Sequence, residues 1–501
     1  MELTITRLDG MLSVYPAPPY LVDYLQYHHR GFKIVNYRRV NDFERRLLHQ
    51  MQEDGSLITF QGFHDQLLKL AHENHDTVRV LDQRTPLPGV DWQAIGDINW
   101  EGIGSTGLRA YQFDPIAEFL VKAQDSSGIV NAAGGFGKTI VQAVTYAAFH
   151  RLNTILAIPL KEVYSQTYEK FRRLFPNKHI GRVGGGAHDI STDITITTFK
   201  SLRSCAIEKC QLLLIDELQS TAGEEISATL CEMRPLRVFG YTATDKGMFN
   251  KAEKLIKGLF GERLIYIPYQ EAEESNAVVP VTAWFVRTPA NLMISAGTME
   301  GKLRQGIKQC KPRNELIGRI CTLVPDRWQT LVFVDHITDH LIPLHKELPL
   351  GTRYIHRESS KASIGDYALT SGQQKQAIKD YQENGFQYLM ATDAFRAGVD
   401  IPNCRVVVQA SGGTSEVELL QEAYRGSRIL PDNLRESLGV TPKTHLVLVD
   451  FLDQHDEALE SMSRKRMEIY EKQGWAVREV DHPEQIDWRY FRPSKRLGKH
   501  E

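Results

Sequence analysis

The 501-residue sequence has few cysteines, and none of the six (Cys205, Cys210, Cys231, Cys310, Cys321, Cys404) sits in a CxxC pair. Neither a zinc site nor a disulfide framework is indicated, and a reducing cytoplasm fits best. Long apolar runs are missing too: no stretch reaches eighteen residues, and the start, MELTITRLDG, lacks the basic end and apolar core of an export signal. Neither export nor membrane spanning is expected. A charge excess is absent as well. The formal net charge of -2 excludes a domain that binds phosphates by bulk charge, so any nucleic-acid contact must come from local patches. No period of 20 to 50 residues repeats, which excludes solenoids and propellers.

What is present is ordinary globular composition, 42% hydrophobic and 24% charged, so the chain reads as folded apart from its last few residues. From Leu108 to Thr244, short apolar runs (GIVN, NTILAIP, DITITTF, CQLLLIDE, RVFGYTAT) alternate with helix-period segments. Runs apolar on both faces between helices describe a parallel sheet covered on both sides. A second series comes after Pro280: AWFVRT, QTLVFVDH, QYLMATDA, RVVVQAS and THLVLVDFLD, with Gly372 to Asn384 as an amphipathic helix. A polar, acidic stretch from Glu271 to Val279 marks the boundary.

The first hundred residues differ. LTITRL and MLSVYP predict strands, Val40 to Glu53 and Gly62 to His75 predict helices, and PLPGVDWQAIGDINWEG predicts a linker. The expected division is a small α+β domain (1–100), one α/β domain (101–276) and a second with a C-terminal extension (277–501). In the small domain Arg30, Lys33, Arg38, Arg39, Arg45 and Arg46 outnumber Asp42 and Glu44, either as a solvated face or as a duplex-binding surface.

The segment GIVNAAGGFGKTIVQAV reads as strand, glycine-rich turn and helix. Backbone N–H groups of Ala133, Gly134, Gly135, Phe136 and Gly137 would surround phosphates, helped by the helix N-terminus. Lys138 would bridge the β- and γ-phosphates of ATP, and Thr139 would hold Mg²⁺. Ala132 stands where the strict P-loop has glycine. Further on, QLLLIDELQ ends an apolar strand with Asp216 and Glu217. Strand ends of a parallel sheet open onto the ligand crevice, which would put Asp216 on Mg²⁺ and Glu217 on the attacking water. Charge on the γ-phosphate calls for cations from elsewhere. VELLQEAYRGSRIL offers Gln421, Arg425 and Arg428, the arginines spaced to share a helix face.

In this order the motifs resemble superfamily 2 helicases from Leu108 to Asp453. The resemblance implies two tandem RecA-like domains that close on ATP and Mg²⁺ and step along DNA. LRAYQ is similar to the adenine-reading segment, with Arg109 and Gln112 at the nucleotide. IPLKEVYSQ is similar to motif Ia, with Pro159 and Lys161. Gly184 to Gly186 resembles motif Ib, around Gly185, and ITTF brings Thr197 and Thr198. TAT, with Thr242 and Thr244, resembles the motif that couples hydrolysis to strand contact. LVFVDH with His336 and MATDAFRAGVDIP with Thr392 are similar to later DNA-contact motifs, Gly398 and Asp400 sensing nucleotide. Arg425 and Arg428 would be arginine fingers. Three residues depart from the family pattern: Gln219 for His or Asp, Asp245 for Pro, and Tyr424 for Gly.

The small N-terminal domain, LRAYQ, TAT and RKRMEIYEKQGW resemble bacteriophage recombination helicases of the UvsW type, implying a monomeric motor that unwinds or branch-migrates forks and Holliday junctions in recombination, repair or replication. A duplex translocase that separates no strands, an RNA helicase and a catalytically dead nucleic-acid-binding scaffold are the alternatives. In the tail, Ser461 to Glu501 holds ten Lys or Arg against seven Asp or Glu, with Trp475, Trp488, Tyr490 and Phe491 interspersed. A docked helix and strand is preferred there over a nucleic-acid surface.

Overall fold

The computed structural model describes residues 1–35, 38–222, 224–243, 253–356, 364–392 and 401–490. Contacts divide the chain into two compact units, Met1–Ala132 with Gly137–Tyr266, and Ala133–Phe136 with Ile267–Glu501.

The first unit opens with β1 (Glu2–Leu8), β2 (Met11–Tyr15), β3 (Gln26–Val35), β4 (Arg38–Leu47), β5 (His49–Met51), β6 (Leu57–Phe60) and β7 (Thr77–Asp82). Five of these make a sheet ordered β5-β6-β2-β1-β7, while among the described residues β3 and β4 pair only with each other, as an antiparallel ribbon. The helix expected from Val40 to Glu53 is therefore a strand and a short strand. Val40, Phe43, Leu47, Leu48 and Met51 do have helical spacing. Ten-residue pairing with Gln26–Val35 overrides that local period. The expected linker also carries structure: the helix Trp92–Gly96, capped by Asp91, whose Oδ1 accepts from the Ala94 N–H at 2.9 Å.

This small sheet shares one continuous core with strands and helices later in the same unit: Leu3, Ile5, Leu12, Val14, Phe63 and Leu67 join Leu213, Ile215, Leu230 and Phe260. Burial of each such side chain is worth about 1.5–3 kcal/mol. Gly62 allows the closest approach, since a Cβ there would stand 2.2 Å from the Lys257 carbonyl oxygen and 2.5 Å from the Gly261 nitrogen.

The rest of the first unit is built on β8 (Gly128–Ala132), β9 (Thr154–Ile158), β10 (Ile180–Gly184), β11 (Ala187–Asp189), β12 (Ile194–Thr198), β13 (Leu212–Ile215), β14 (Arg237–Thr242) and β15 (Arg263–Ile267). They form a sheet ordered β11-β10-β12-β9-β13-β14-β8-β15. Its interior pairs are parallel, and all five apolar runs of the first series are among its strands. β9 and β13 are buried at every position, as helices on both faces require.

The second unit builds the sheet β18-β19-β17-β20-β21-β16-β22 from β16 (Val281–Arg287), β17 (Gln329–Phe333), β18 (Arg353–Ile355), β19 (Tyr388–Ala391), β20 (Cys404–Gln409), β21 (Leu446–Leu452) and β22 (Ala476–Val480). Every pair in it is parallel. The tail docks on this sheet: the helix Glu457–Lys472 leads into β22, which pairs with β16. Trp475 is buried against Tyr269, Tyr424 and Tyr470, which removes it from any nucleic-acid surface. Phe491 lies outside the described residues. The architecture is the expected α/β one, two tandem RecA-like parallel sheets preceded by a small α+β region. Among the described residues no helix is long and apolar enough to cross a membrane.

Candidate nucleotide and nucleic-acid site

β8 ends at Ala132 and the helix Lys138–Ala148 begins six residues later. The turn between them needs left-handed backbone at Gly135 (φ +95°) and Gly137 (φ +102°), which glycine adopts without a Cβ penalty. Lys138 Nζ donates to the Ala132 carbonyl at 3.5 Å, so the ammonium lies over its own loop. Gln112 is buried, at 3% exposure, and its amide faces the same turn: a Cβ on Gly137 would lie 2.7 Å from Gln112 Nε2. Its Oε1 accepts from the Arg109 N–H at 3.0 Å, while Arg109 itself is exposed and donates to the Tyr111 hydroxyl at 3.1 Å.

Asp216 and Glu217 come directly after β13. Asp216 is buried and accepts from Gln142 Nε2 at 2.9 Å. Burial, then the neighbouring Glu217 charge, push its carboxyl up to about 7, against the pull of Lys138 and Gln142. A buried carboxyl whose charge is so disfavoured, beside the ammonium and the glycine turn, suits a divalent cation carrying phosphates. Gln142 lies one helical turn after Lys138, a spacing that would have revealed it.

Glu217 takes a left-handed backbone (φ +47°), uncommon for a residue with a Cβ. Its Oε2 accepts from Gln219 Nε2 at 2.6 Å, and Gln219 Oε1 accepts from Thr242 Oγ1 at 3.1 Å. The departure at Gln219 thus spans the two motifs it lies between, an amide doing so with one donor and one acceptor. Thr242 is 1% exposed and its hydroxyl is turned to Gln219. Thr244, Gly398 and Asp400 lie outside the described residues, as does Asp245.

Three expected nucleic-acid motifs converge on one rim of the first sheet. Gly184, Gly185 and Gly186 are all left-handed (φ +115°, +63° and +93°). A Cβ on Gly185 would stand 3.6 Å from Lys161 Cε, and one on Gly184 would stand 3.2 Å from Thr198 Oγ1. Lys161 and Gly185 are exposed, and Pro159 is half-buried. Thr198 donates to Ser201 Oγ at 3.1 Å. Thr197 is fully buried and donates to the Thr198 carbonyl at 3.3 Å. Tyr164, Arg182 and Ser201, which sequence reasoning passed over, complete this rim: Arg182 donates to the Tyr164 hydroxyl at 3.2 Å, and that hydroxyl donates to the Gly184 carbonyl at 3.0 Å.

In the second unit Gln421 and Arg425 stand one turn apart on the helix Glu416–Gly426. Arg428 lies beyond that helix, in an isolated antiparallel bridge with Val278, so the shared helix face expected for the two arginines is not formed. Lys443, also unanticipated, donates to the Arg428 carbonyl at 2.8 Å and to the Gly426 carbonyl, pinning this turn. Tyr424 stacks on Tyr269 with ring centroids 5.5 Å apart, filling the volume that the family's glycine would leave open. His336 is exposed and Thr392 is buried, its N–H donating to the Ile355 carbonyl at 3.3 Å.

Residues 105–246 match the family model of the type III restriction enzyme res subunit, and residues 314–430 match the helicase conserved C-terminal domain. The chain therefore carries the domain pair of superfamily 2 helicases, the ATP-binding enzymes that unwind or move along nucleic acid. The particular relatives are distant. The DNA 3'-5' translocase XPB2 of Sulfurisphaera tokodaii is 24% identical over 375 residues, 66% of this chain and 80% of the relative. A fragment named as the HsdR subunit of a type I restriction enzyme from Vibrio vulnificus has TM-score 0.53 at 16% identity, over 91% of this chain and 92% of that one. Saccharomyces cerevisiae Dbp5 bound to RNA has TM-score 0.51 at 14% identity, over 76% and 92%. UvsW of bacteriophage T4 has TM-score 0.42 at 15% identity, over 96% and 100%. At such identities the HsdR and Dbp5 structures share the fold alone.

Proposed function

We propose that the chain is an ATP-driven DNA motor that unwinds or branch-migrates branched DNA, such as forks and four-way junctions. The observation that carries the motor is the cluster of Lys138, Asp216 and Glu217, with Glu217 tied through Gln219 to Thr242. Lys138 and the backbone of Ala133 to Gly137 bind the phosphates, and Gln112 and Arg109 orient the base end. Thr139 and Asp216 would hold Mg²⁺, whose chemistry is neutralisation of the phosphate oxygens. Glu217 takes the proton of the attacking water, and Gln219 orients that carboxylate. Arg425 and Arg428, with Gln421, are assigned to the γ-phosphate charge. Pro159, Lys161, Gly185, Thr198, His336 and Thr392 are assigned to the sugar-phosphate backbone, contacts that carry no base information.

DNA as substrate is supported by the DNA translocase activity for which the Sulfurisphaera tokodaii relative is named. Branched DNA is supported by the likeness of LRAYQ, TAT and the tail to UvsW-type helicases. The same relative is named a translocase, which favours movement on duplex without strand separation as the second reading. ATP hydrolysis with and without a synthetic four-way junction, beside Lys138→Ala, tests both. Stimulated hydrolysis, a dead mutant and resolved junction arms are expected. Stimulation with an intact junction and fork leaves the duplex translocase, and no hydrolysis with any nucleic acid overturns the motor.

A further inference from the structure

The arginines assigned to the γ-phosphate charge stand at a helix end, where backbone carbonyls lack partners within the helix. The helix Glu416–Gly426 stops one residue after Arg425, and Arg428 lies just beyond it. Three consecutive carbonyls of this turn are nonetheless bonded. Lys443 Nζ donates to the Gly426 carbonyl and, at 2.8 Å, to that of Arg428, while the Val279 N–H donates to the Ser427 carbonyl at 2.8 Å. The same ammonium donates to the Pro402 carbonyl at 2.8 Å. Pro402 ends MATDAFRAGVDIP, the segment that holds Thr392 and Asp400. One side chain thus joins two separate motifs through their main-chain atoms.

Lysine suits this place for a physical reason. An ammonium carries three N–H donors and no acceptor, so carbonyls arranged around it match what it can offer. Its positive charge also favours a helix C-terminus. Lys443 is only 8% exposed, so these bonds are made largely out of water, where they are stronger. Its own stretch of chain is held in turn. Arg405 Nη1 donates to the Pro442 carbonyl at 3.1 Å and Nη2 to the Thr441 carbonyl, with the guanidinium 5.7 Å from the centroid of the Trp328 ring. The helix end is packed against the strand that follows Lys443: a Cβ on Gly426 would stand 2.5 Å from Leu446 Cδ1.

We propose that Lys443 is a positioning residue for ATP hydrolysis, fixing the turn that carries Arg425 and Arg428 to the end of the segment 390–402. The assignment rests on the motor reading, in which those arginines meet the γ-phosphate charge. That charge grows as the transition state forms. A loosened turn therefore lowers turnover while ATP and nucleic acid bind as before. Lys443 itself touches no substrate and acts through the two arginines.

The test uses the full chain with saturating DNA and compares wild type with Lys443→Met, which keeps an unbranched apolar stem and removes the ammonium. Thermal unfolding confirms that the variant folds; should it not, Lys443→Gln, which keeps two amide donors, takes its place in every comparison. A small displacement of reacting groups can cost about 100-fold in rate, so kcat should fall roughly 10- to 100-fold. KM for ATP, and DNA affinity by anisotropy, should stay within about twofold of wild type. A second comparison separates positioning from general loosening of the fold. Residual hydrolysis of Arg425→Ala/Arg428→Ala, followed with excess enzyme, should change less than about twofold when Lys443→Met is added, because the groups it positions are already gone. An unchanged kcat, a rise in KM that accounts for the loss, or a further 10-fold fall in the arginine-free background would overturn the proposal. The motor reading is judged on wild type: if that chain hydrolyses no ATP with any nucleic acid, motor and positioning residue fall together, whereas an active wild type matched by Lys443→Met removes the positioning residue alone.

Discussion

Gln219 holds Glu217: the amide nitrogen of one donates to Oε2 of the other at 2.6 Å, while the amide oxygen accepts from Thr242 at 3.1 Å. A carboxylate in left-handed backbone at the end of a strand is thereby fixed from the side of the neighbouring strand. Gln219→Leu keeps the volume and removes both bonds. A hydrogen bond to a charged group is worth about 1.5–3 kcal/mol, so turnover should fall roughly 10- to 100-fold while KM for ATP holds. Thr242→Val, which loses one neutral bond, should cost less than tenfold. Steady-state hydrolysis within twofold of wild type for Gln219→Leu would show that Glu217 is placed without it.

Asp216 gives a pH dependence. Its folded-state carboxyl is raised from 3.8 to about 7, so between those values the folded chain keeps a proton that the unfolded chain has released. Stability then falls as pH rises from about 4 to about 7 and levels off above. Asp216→Asn, which has no charge to bury, should lack that decline in thermal unfolding. Added Mg²⁺ should raise the wild-type midpoint near pH 7.5 and leave the variant nearly unmoved. Parallel pH profiles for the two proteins would mean that the carboxyl is ionised throughout.

A buried ionic cluster braces the second sheet. Arg313 Nε donates to Asp453 Oδ1 at 2.8 Å and Nη1 to the Ala410 carbonyl at 2.8 Å, and Arg466 Nε donates to Asp450 Oδ1 at 3.0 Å. All four side chains are essentially without solvent exposure. Arg313→Ala leaves Asp453 short of a counter-charge in the interior and should cost about 3–5 kcal/mol in denaturant unfolding. The pair Arg313→Met/Asp453→Leu should cost less than Arg313→Ala alone. A double variant worse than the single one would show that the ions contribute more than a well-packed apolar pair.

Gly62→Ala probes the attachment of the small N-terminal sheet. Its Cβ would meet backbone atoms of the helix Glu253–Phe260 and its end, which cannot give way as a side chain can. A loss of about 1–3 kcal/mol is expected, as for overpacking in a close-packed core. If the variant unfolds at the wild-type midpoint, the sheet is not held at this point.

Much of the molecule is legible in the amino-acid order. Strands such as LLLI in β13 and the LVLV that opens β21 are apolar at consecutive positions because helices cover both sheet faces, and that demand appears directly in the sequence. The glycine turn before Lys138 and the paired acids after β13 are equally plain, since each chemistry needs fixed residue types at fixed spacing. The stretch after Val40 is not. Its apolar spacing satisfies a helix, and only its pairing with a segment earlier in the chain makes it a strand.

The sequence by itself determined the α/β alternation, the glycine turn before Lys138 and the paired acids after β13, because period and local spacing encode them. Tertiary structure decided that Thr197 and Thr242 turn inward, that Arg428 lies past the end of its helix, that Gln219 joins two motifs, and that Arg38–Leu47 pairs as a strand with Gln26–Val35. Each of these depends on which residues meet across elements distant in the chain, and that is set by packing and register.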